Sequence, residues 1–299
     1  WQTIKALPQT PLVSLFDKDP DRVANFGLEQ AGIYFDFSKT HLDATAVQAF
    51  DKLADELDLA GRVNALLSGE PINVSEGRAA EHSAERGTGN PASVDNAAML
   101  HQRMKSLIEV IETGVLGDFT QIIHLGIGGS ALGPKMLHQA LKLGDEKYEL
   151  AVVSNIDGAA LEPVLERFTA AKTLLVVASK TFTTAETLLN AHAVLDWMRE
   201  DGVADPLGQV VALTAAPEQA VEWGVDETRI LPFSETVGGR YSLWSSISFS
   251  LALALGYEAF EDLLAGAAGM DQHFRDTPWA KNIPALAAFA DQYYAQVRG

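Results

Sequence analysis

Apolar positions along this chain follow two rhythms, and the change between them falls near residue 119. In the first stretch, Val47, Phe50, Leu53, Ala54 and Leu57 recur at three- and four-residue spacings, which predicts an amphipathic helix over 43–59 with Asp43 as its cap. Just before it, residues 32–38 alternate as a short strand would. Residues 68–95 are polar and interrupted by Gly and Pro, so a long irregular segment is expected there. Segments of that kind in compact proteins are usually functional or disordered. Met99, Met104, Leu107, Ile108 and Ile111 then restore a helical face over 95–112.

From Phe119 onward, short continuously apolar runs alternate with helical segments. The runs are 121–127, 148–154, 173–178, 209–214 and 229–233, and the helices between them are expected at 135–143, 159–168, 184–199 and 217–223. Strands buried on both faces read this way, so the fold class is α/β, with a parallel five-stranded sheet flanked by helices. A long apolar helix is expected at 241–255, followed by helices at 261–274 and 284–297. Three regions result: a mostly helical segment 1–112, the α/β domain 113–256, and a helical continuation 257–299 that begins a second, incomplete part. There is no internal repeat or heptad series.

Composition narrows the partners. With 299 residues and 47% hydrophobic content the chain can bury a large core, and 22 Lys+Arg against 40 Asp+Glu leave a net charge of -18. Such a surface repels nucleic acid and anionic membranes, so a bound phosphate must sit in a local pocket. Zero cysteines exclude thiolate chemistry. No window approaches the ~18 apolar residues of a membrane span, and a cytoplasmic protein is expected. Both ends read as cut, since the chain starts at Trp1 and stops at Gly299 just after a helical pattern.

The chemistry concentrates where strands give way to helices. Gly126-Ile127-Gly128-Gly129-Ser130-Ala131-Leu132-Gly133 follows the first run and opens onto a helix, which suits a phosphate cradle built from backbone N–H groups. It contains Gly126-x-Gly128-x-x-Ala131, a partial dinucleotide fingerprint, but Ser154-Asn155 stand where that reading needs an acid for the ribose. A nucleotide P-loop fails too, because Pro134 follows Gly133 and Lys135 is displaced. A tight turn with no ligand is the bland alternative. The third run, however, ends in Ser179-Lys180-Thr181-Phe182-Thr183-Thr184, adding four hydroxyls and one ammonium at the same sheet edge. A third cluster, Gly238-Gly239-Arg240-Tyr241-Ser242, places Arg240 at a helix start where the dipole disfavours a cation. Glu235 reads equally as a base or as a solvated loop carboxylate. The seven histidines, His124 and His192 among them, lack metal-ligand spacing and suit core or surface roles; no metal is expected.

Taken together these blocks resemble the phosphoglucose isomerase family, whose α/β domain is of the sugar-isomerase (SIS) type. The likeness rests on Gly126-Ile127-Gly128-Gly129-Ser130-x-Leu132-Gly133-Pro134, Ser154-Asn155-Ile156-Asp157-Gly158, the 178–187 segment, Gly238-Gly239-Arg240-Tyr241-Ser242, Asn282-Ile283-Pro284 and Asn73-x-x-Glu76-Gly77-Arg78-Ala79. The resemblance implies that Gly129, Ser130, Ser179, Lys180, Thr181 and Thr184, with Thr183 in the same segment, bind the phosphate of a sugar monophosphate. It also implies that Arg240 faces the reacting carbons and stabilises a cis-enediolate as glucose 6-phosphate and fructose 6-phosphate interconvert in glycolysis and gluconeogenesis. It implies no cofactor, and a homodimer in the full-length enzyme. The family's carboxylate base, ring-opening histidine and a further lysine belong to the part after Asn282-Ile283-Pro284, so this chain is expected to be the amino-terminal half or so, inactive alone. A phosphosugar-binding or regulatory module of SIS type is the alternative.

Overall fold

The structure is a computed structural model that describes residues 1–142, 144 and 146–298. They gather into two compact units, Trp1–Glu70 with Gly266–Gly299, and Pro71–Ala265. The boundary expected at 112/113 falls inside the second unit.

The first unit holds three short helices, α1 (Gln2–Lys5), α2 (Leu12–Lys18) and α3 (Arg22–Asn25), an antiparallel hairpin of β1 (Gly27–Gln30) and β2 (Ile33–Asp36), and helices α4 (Ala44–Glu56) and α5 (Leu59–Leu67). The alternating 32–38 segment therefore does form a strand, and it pairs with the preceding residues. The Asp43 carboxylate accepts from the Ala46 N–H at 2.8 Å and starts α4 as its spacing predicts. Phe50 from that helix stacks on Phe289 with ring centroids 4.7 Å apart. The unit is stapled by Arg22, 1% exposed. Its guanidinium donates to the carbonyls of Ser38, Thr40 and Leu42 at 2.8, 2.7 and 2.7 Å and lies over the Phe26 ring. Burial pushes its pKa down, with Asp19 among the carboxylates that oppose the shift.

In the second unit come α6 (Pro91–Glu112), β3 (Gln121–Gly126), α7 (Gly129–Leu141), β4 (Glu149–Val153), α8 (Gly158–Arg167), β5 (Thr173–Ala178), α9 (Ala185–Glu200), β6 (Val210–Thr214), α10 (Pro217–Trp223), β7 (Ile230–Pro232) and α11 (Phe249–Leu255). The sheet is wholly parallel, in the order β4-β3-β5-β6-β7. Every residue of β5 and β6 is buried, which is why both read as unbroken apolar runs. Leu174, Val176 and Ala178 face a layer formed by α6 and α11, whereas Leu175 and Val177 face α9 with Val194, Leu195 and Met198. The chain leaves β3 for β4 on one side and returns to β5 on the other. Between β3 and β5 the order reverses, and ligands of such sheets bind outside that point.

Four expectations need correction. The helix expected at 95–112 begins earlier, because Pro91 suits a first helical position and Asn90 caps it through the Ala92 N–H at 3.0 Å. The one expected at 135–143 begins at Gly129, so much of the glycine block is helical; its last expected residue, Leu143, lies outside the described residues. The long helix expected at 241–255 does not exist. Two 3-10 turns, Gly239–Trp244 and Ser246–Ser248, precede a short α11, since the hydroxyls of Ser242, Ser245, Ser246 and Ser248 take backbone carbonyls and compete with α-helical pairing. After Gly256, at φ +93°, α12 (Tyr257–Asp276) starts before the expected 261.

The last helix, α13 (Ile283–Tyr293), belongs to the first unit, and a single π-helical turn, Tyr294–Arg298, extends it. Asn282 caps it, accepting from the Ala285 N–H while its amide donates to the Phe274 and Thr277 carbonyls, so the Asn282-Ile283-Pro284 block is a structural joint here.

Replacing Arg22 by Met would strand three carbonyls in a dry site. We expect Arg22→Met to lower unfolding stability by about 3 kcal/mol or more in urea titration, and a loss below half that would contradict the staple.

Candidate active site

At the carboxyl edge, Gly126 of β3 lies in register with Ala178 of β5, so the two motif loops leave the sheet side by side. The first is short: Ile127 and Gly128, the latter at φ +59°, turn straight into α7. The second contains Phe182, a non-glycine residue at φ +52°, a conformation that L side chains resist. Its ring is 3% exposed and packs edge-on against Trp223, and this burial fixes the loop so that the hydroxyls on either side stay at the surface of the sheet edge.

Within that loop the Ser179 and Thr184 hydroxyls are 3.0 Å apart, and those of Thr181 and Thr183 are 2.7 Å apart. Thr184 occupies the N-cap of α9 but makes no capping bond. Gly128, at the N-cap of α7, has no side chain to cap with. The next helix along the sheet behaves differently, as Asp157 caps α8 through the Ala159 N–H at 3.0 Å. Thus neither of the two helices flanking the topological reversal has a side-chain cap; in α7 the Ser130 and Ala131 N–H groups turn to the Ile127 and Gly128 carbonyls, while the positive end of each helix dipole still faces this edge, which favours an anion.

Lys180 is used otherwise than as a simple cationic arm. Its ammonium donates to the carbonyls of Glu235 at 2.7 Å and Val237 at 3.1 Å, tying β5's loop to the segment that leads into Gly238-Gly239-Arg240. Burial lowers its pKa, Arg78 adds to the shift, and Glu76 and Glu235 oppose it. Arg78 and Glu76 form an ion pair across the turn closed by the Asn73–Arg78 bridge. Glu235 is exposed and contributes its carbonyl to Lys180.

The third cluster reaches the first by the closest approach in the unit. A Cβ added to Gly129 would lie 1.8 Å from the Gly239 carbonyl oxygen, so no other residue fits. The Ser242 hydroxyl caps the same carbonyl at 2.7 Å. Arg240 follows directly, exposed, and its side chain makes no hydrogen bond or ion pair to another described residue. The structure therefore brings Gly129, Ser130, Ser179, Lys180, Thr181, Thr183, Thr184 and Arg240 to one edge.

Beneath Ser130, His124 is fully buried. Its Nε2 lies 2.7 Å from the Ser130 carbonyl and its Nδ1 2.8 Å from the Ser250 hydroxyl. A carbonyl only accepts, so Nε2 carries the proton and Nδ1 accepts from Ser250. The Ser130 carbonyl needs that donor because its helical partner would be residue 134, a proline without an N–H. Burial lowers the His124 pKa to about 4 despite the hydrogen bond to Ser130.

Reasoning on the sequence missed His82, Glu85, Arg86 and His101. The His82 ring stacks on Tyr241 at 4.6 Å and the Arg86 guanidinium lies over Trp244 at 4.7 Å. Only their polar placement in the 68–95 segment hinted at this. His192 lies beside Trp223 with ring centroids 5.3 Å apart. A concavity of about 620 Å³ elsewhere in the unit, lined by Leu253, Leu255 and Leu263, holds none of the motif residues.

Comparison with known sequences decides the family: the phosphoglucose isomerase profile matches residues 36–299. The chain belongs to the phosphoglucose isomerase family. Over 299 residues it is 59% identical to a glucose-6-phosphate isomerase of Rhizorhabdus wittichii and 54% identical to one of Zymomonas mobilis. Both alignments cover 100% of this chain and 60% and 59% of those proteins, so the chain spans about 60% of the length of these curated relatives. The crystal structure of a glucose-6-phosphate isomerase from Chlamydia trachomatis superposes with a TM-score of 0.88 at 24% identity, covering 99% of this chain and 59% of that one, and shows the shared fold. Among the described residues no helix is long and apolar enough to cross a membrane.

Two outcomes are expected. Gly129→Ala forces the two turns apart and should cost about 1–3 kcal/mol in chemical unfolding, together with any anion binding at this edge. For His124, the depressed folded pKa means that its stability contribution is complete above 6.5 and is lost as pH falls from 6.5 to about 4. The stability advantage of the native protein over His124→Gln should therefore shrink by on the order of 3 kcal/mol between pH 7 and pH 4. A gap that is flat with pH would refute the neutral buried imidazole.

Proposed function

We propose that this chain forms the sugar-phosphate-binding part of an aldose–ketose isomerase that interconverts glucose 6-phosphate and fructose 6-phosphate. The observation that carries this reading is the pair of uncapped helix N-termini over β3 and β5, framed by four loop hydroxyls and abutting an unpaired arginine. A phosphate monoester fits such a place, because N–H and O–H donors surround its oxygens without requiring a basic surface. The motif residues Gly129, Ser130, Ser179, Thr181, Thr183 and Thr184 are its donors, while Lys180 contributes its backbone and steadies the loop that carries Arg240.

With the phosphate held at the helix termini, the carbonyl end of the open-chain sugar extends toward Arg240. Moving a proton between C2 and C1 passes through a cis-enediolate, whose negative oxygens a fixed guanidinium stabilises without transferring a proton itself. Oxidation at one carbon balances reduction at its neighbour, so the substrate supplies its own electron pair. The base, the ring-opening histidine and the lysine are, on the family's pattern, carried by residues after Asn282-Ile283-Pro284. The complete enzyme is proposed to act as a homodimer in the cytoplasm.

Calorimetry distinguishes this from a fold without a ligand. Glucose 6-phosphate should bind whereas glucose should not, and Ser179→Ala or Thr184→Ala should weaken binding about 10- to 100-fold. Equal affinity for glucose and its phosphate would overturn the cradle. In the natural full-length protein, Arg240→Met should lower kcat about 100- to 1000-fold with little change in KM. Tight phosphosugar binding with no isomerisation by that protein would favour the regulatory module instead.

A further inference from the structure

Among the described residues Glu85 is the only buried carboxylate in a chain with 40 acidic residues. It sits in the 3-10 turn Ala84–Arg86 and is 5% exposed. Its Oε2 lies 2.8 Å from Nε2 of His101 on α6. That approach is an ion-pair distance without hydrogen-bond alignment, and Oε2 has no hydrogen-bond partner among the described residues. The proton on His101 Nε2 is aimed instead at the Trp244 carbonyl, 3.1 Å away. The carboxylate thus lies beside the ring nitrogen that reaches the Trp244 carbonyl.

Trp244 closes the 3-10 turn Gly239–Trp244, whose second residue is Arg240. Three contacts from one short segment converge on that turn: His82 stacks on Tyr241, Arg86 covers Trp244, and Glu85 acts through His101 on the Trp244 carbonyl. Behind His101 stands firm packing, with Phe260 edge-on at 5.3 Å and the Tyr257 hydroxyl donating to the His101 carbonyl at 3.1 Å. On its other side the segment is fastened to the loop that Lys180 holds, through the Glu81 N–H to the Thr236 carbonyl at 3.0 Å and Ser93 to the Glu81 carboxylate at 2.7 Å.

We propose that Glu85 and His101 are positioning residues for Arg240, a buried latch that sets the orientation of the turn presenting its guanidinium. This deepens the isomerase reading and rests on it for its kinetic consequence. Beside the Gly129–Gly239 contact, the phosphate-holding helices are held by β3, β5 and Phe182, so loosening the latch at its Trp244 end should disturb the reacting end of the substrate more than the phosphate end.

The test uses Glu85→Gln, which removes the charge and keeps the shape, and Glu85→Asp as a milder variant that keeps the charge and withdraws it by one methylene. Amide hydrogen exchange on this chain is expected to quicken at least tenfold within residues 239–244 for Glu85→Gln, less for Glu85→Asp, with β3 and β5 unchanged. In the natural full-length protein, Glu85→Gln should lower kcat about tenfold while KM for glucose 6-phosphate stays within twofold, and Glu85→Asp should restore part of the rate. Unchanged exchange at 239–244 in both variants overturns the latch, as does a loss carried by KM alone. Faster exchange in a full-length protein that never isomerises would uphold the latch and refute the isomerase reading.

Discussion

The close approach of Gly129 to the Gly239 carbonyl is the contact on which the arrangement of the site depends. With only 1.8 Å between that oxygen and the place a Cβ would occupy, α7 and the arginine-bearing turn meet backbone to backbone. Side chains cannot mediate the contact, so it tolerates little displacement. The amino-terminal end of α7 and the start of the Arg240 turn are therefore fixed relative to each other by the main chain. A substrate that must have its phosphate and its reacting carbons held at once at a set separation needs such a reference.

The same helix is anchored from below by an exchange of donors. Pro134 removes the N–H that the Ser130 carbonyl would receive, and His124, rising from the core of β3, supplies one in its place. The proline also stiffens the second turn of α7. Burial keeps the imidazole neutral, and Ser250 at the start of α11 holds its other nitrogen. One hydrogen-bonded line thus runs from α11 through the middle of the sheet to the residue beside Gly129. A core histidine, unremarkable by its spacing in the sequence, proves to be part of the site's foundation.

What the sequence made legible follows from the range of the forces involved. The five strands are visible because β5 and β6 are buried on both faces and must be apolar throughout. The two motif loops are visible because glycine and hydroxyl residues there answer local backbone demands. The helix expected at 241–255 failed because its apolar spacing was read without its serines, whose hydroxyls reach carbonyls near by and break the segment into turns. Phe182 went unnoticed since aromatic residues in loops are usually core anchors; this one is an anchor too, and its strained backbone is visible only in three dimensions. Lys180 was expected among the phosphate-binding residues, and its ammonium donates to two carbonyls 55 and 57 residues away, a contact that no local pattern reports. The Glu85, His101 and Trp244 grouping joins residues up to 143 apart, and no periodicity reports such a contact.

On the proposed reading, an acidic protein that receives a phosphate ester must resolve a conflict between long-range repulsion and local attraction. At a net charge of -18 the surface as a whole disfavours anions, and salt screens that field beyond about 8–10 Å. Helix N-termini and hydroxyls act within a shorter distance than that, through oriented dipoles that screening hardly reaches. Charge is then added sparingly: Lys180 is turned onto backbone carbonyls, and the Arg240 side chain makes no hydrogen bond or ion pair among the described residues. A polyphosphate or a nucleic acid would extend beyond the dipoles into the repulsive surface, while a monophosphate remains inside them. The proposed preference for a small phosphorylated molecule would thus arise from the contrast between the site and the rest of the protein, and an all-basic pocket would not produce it.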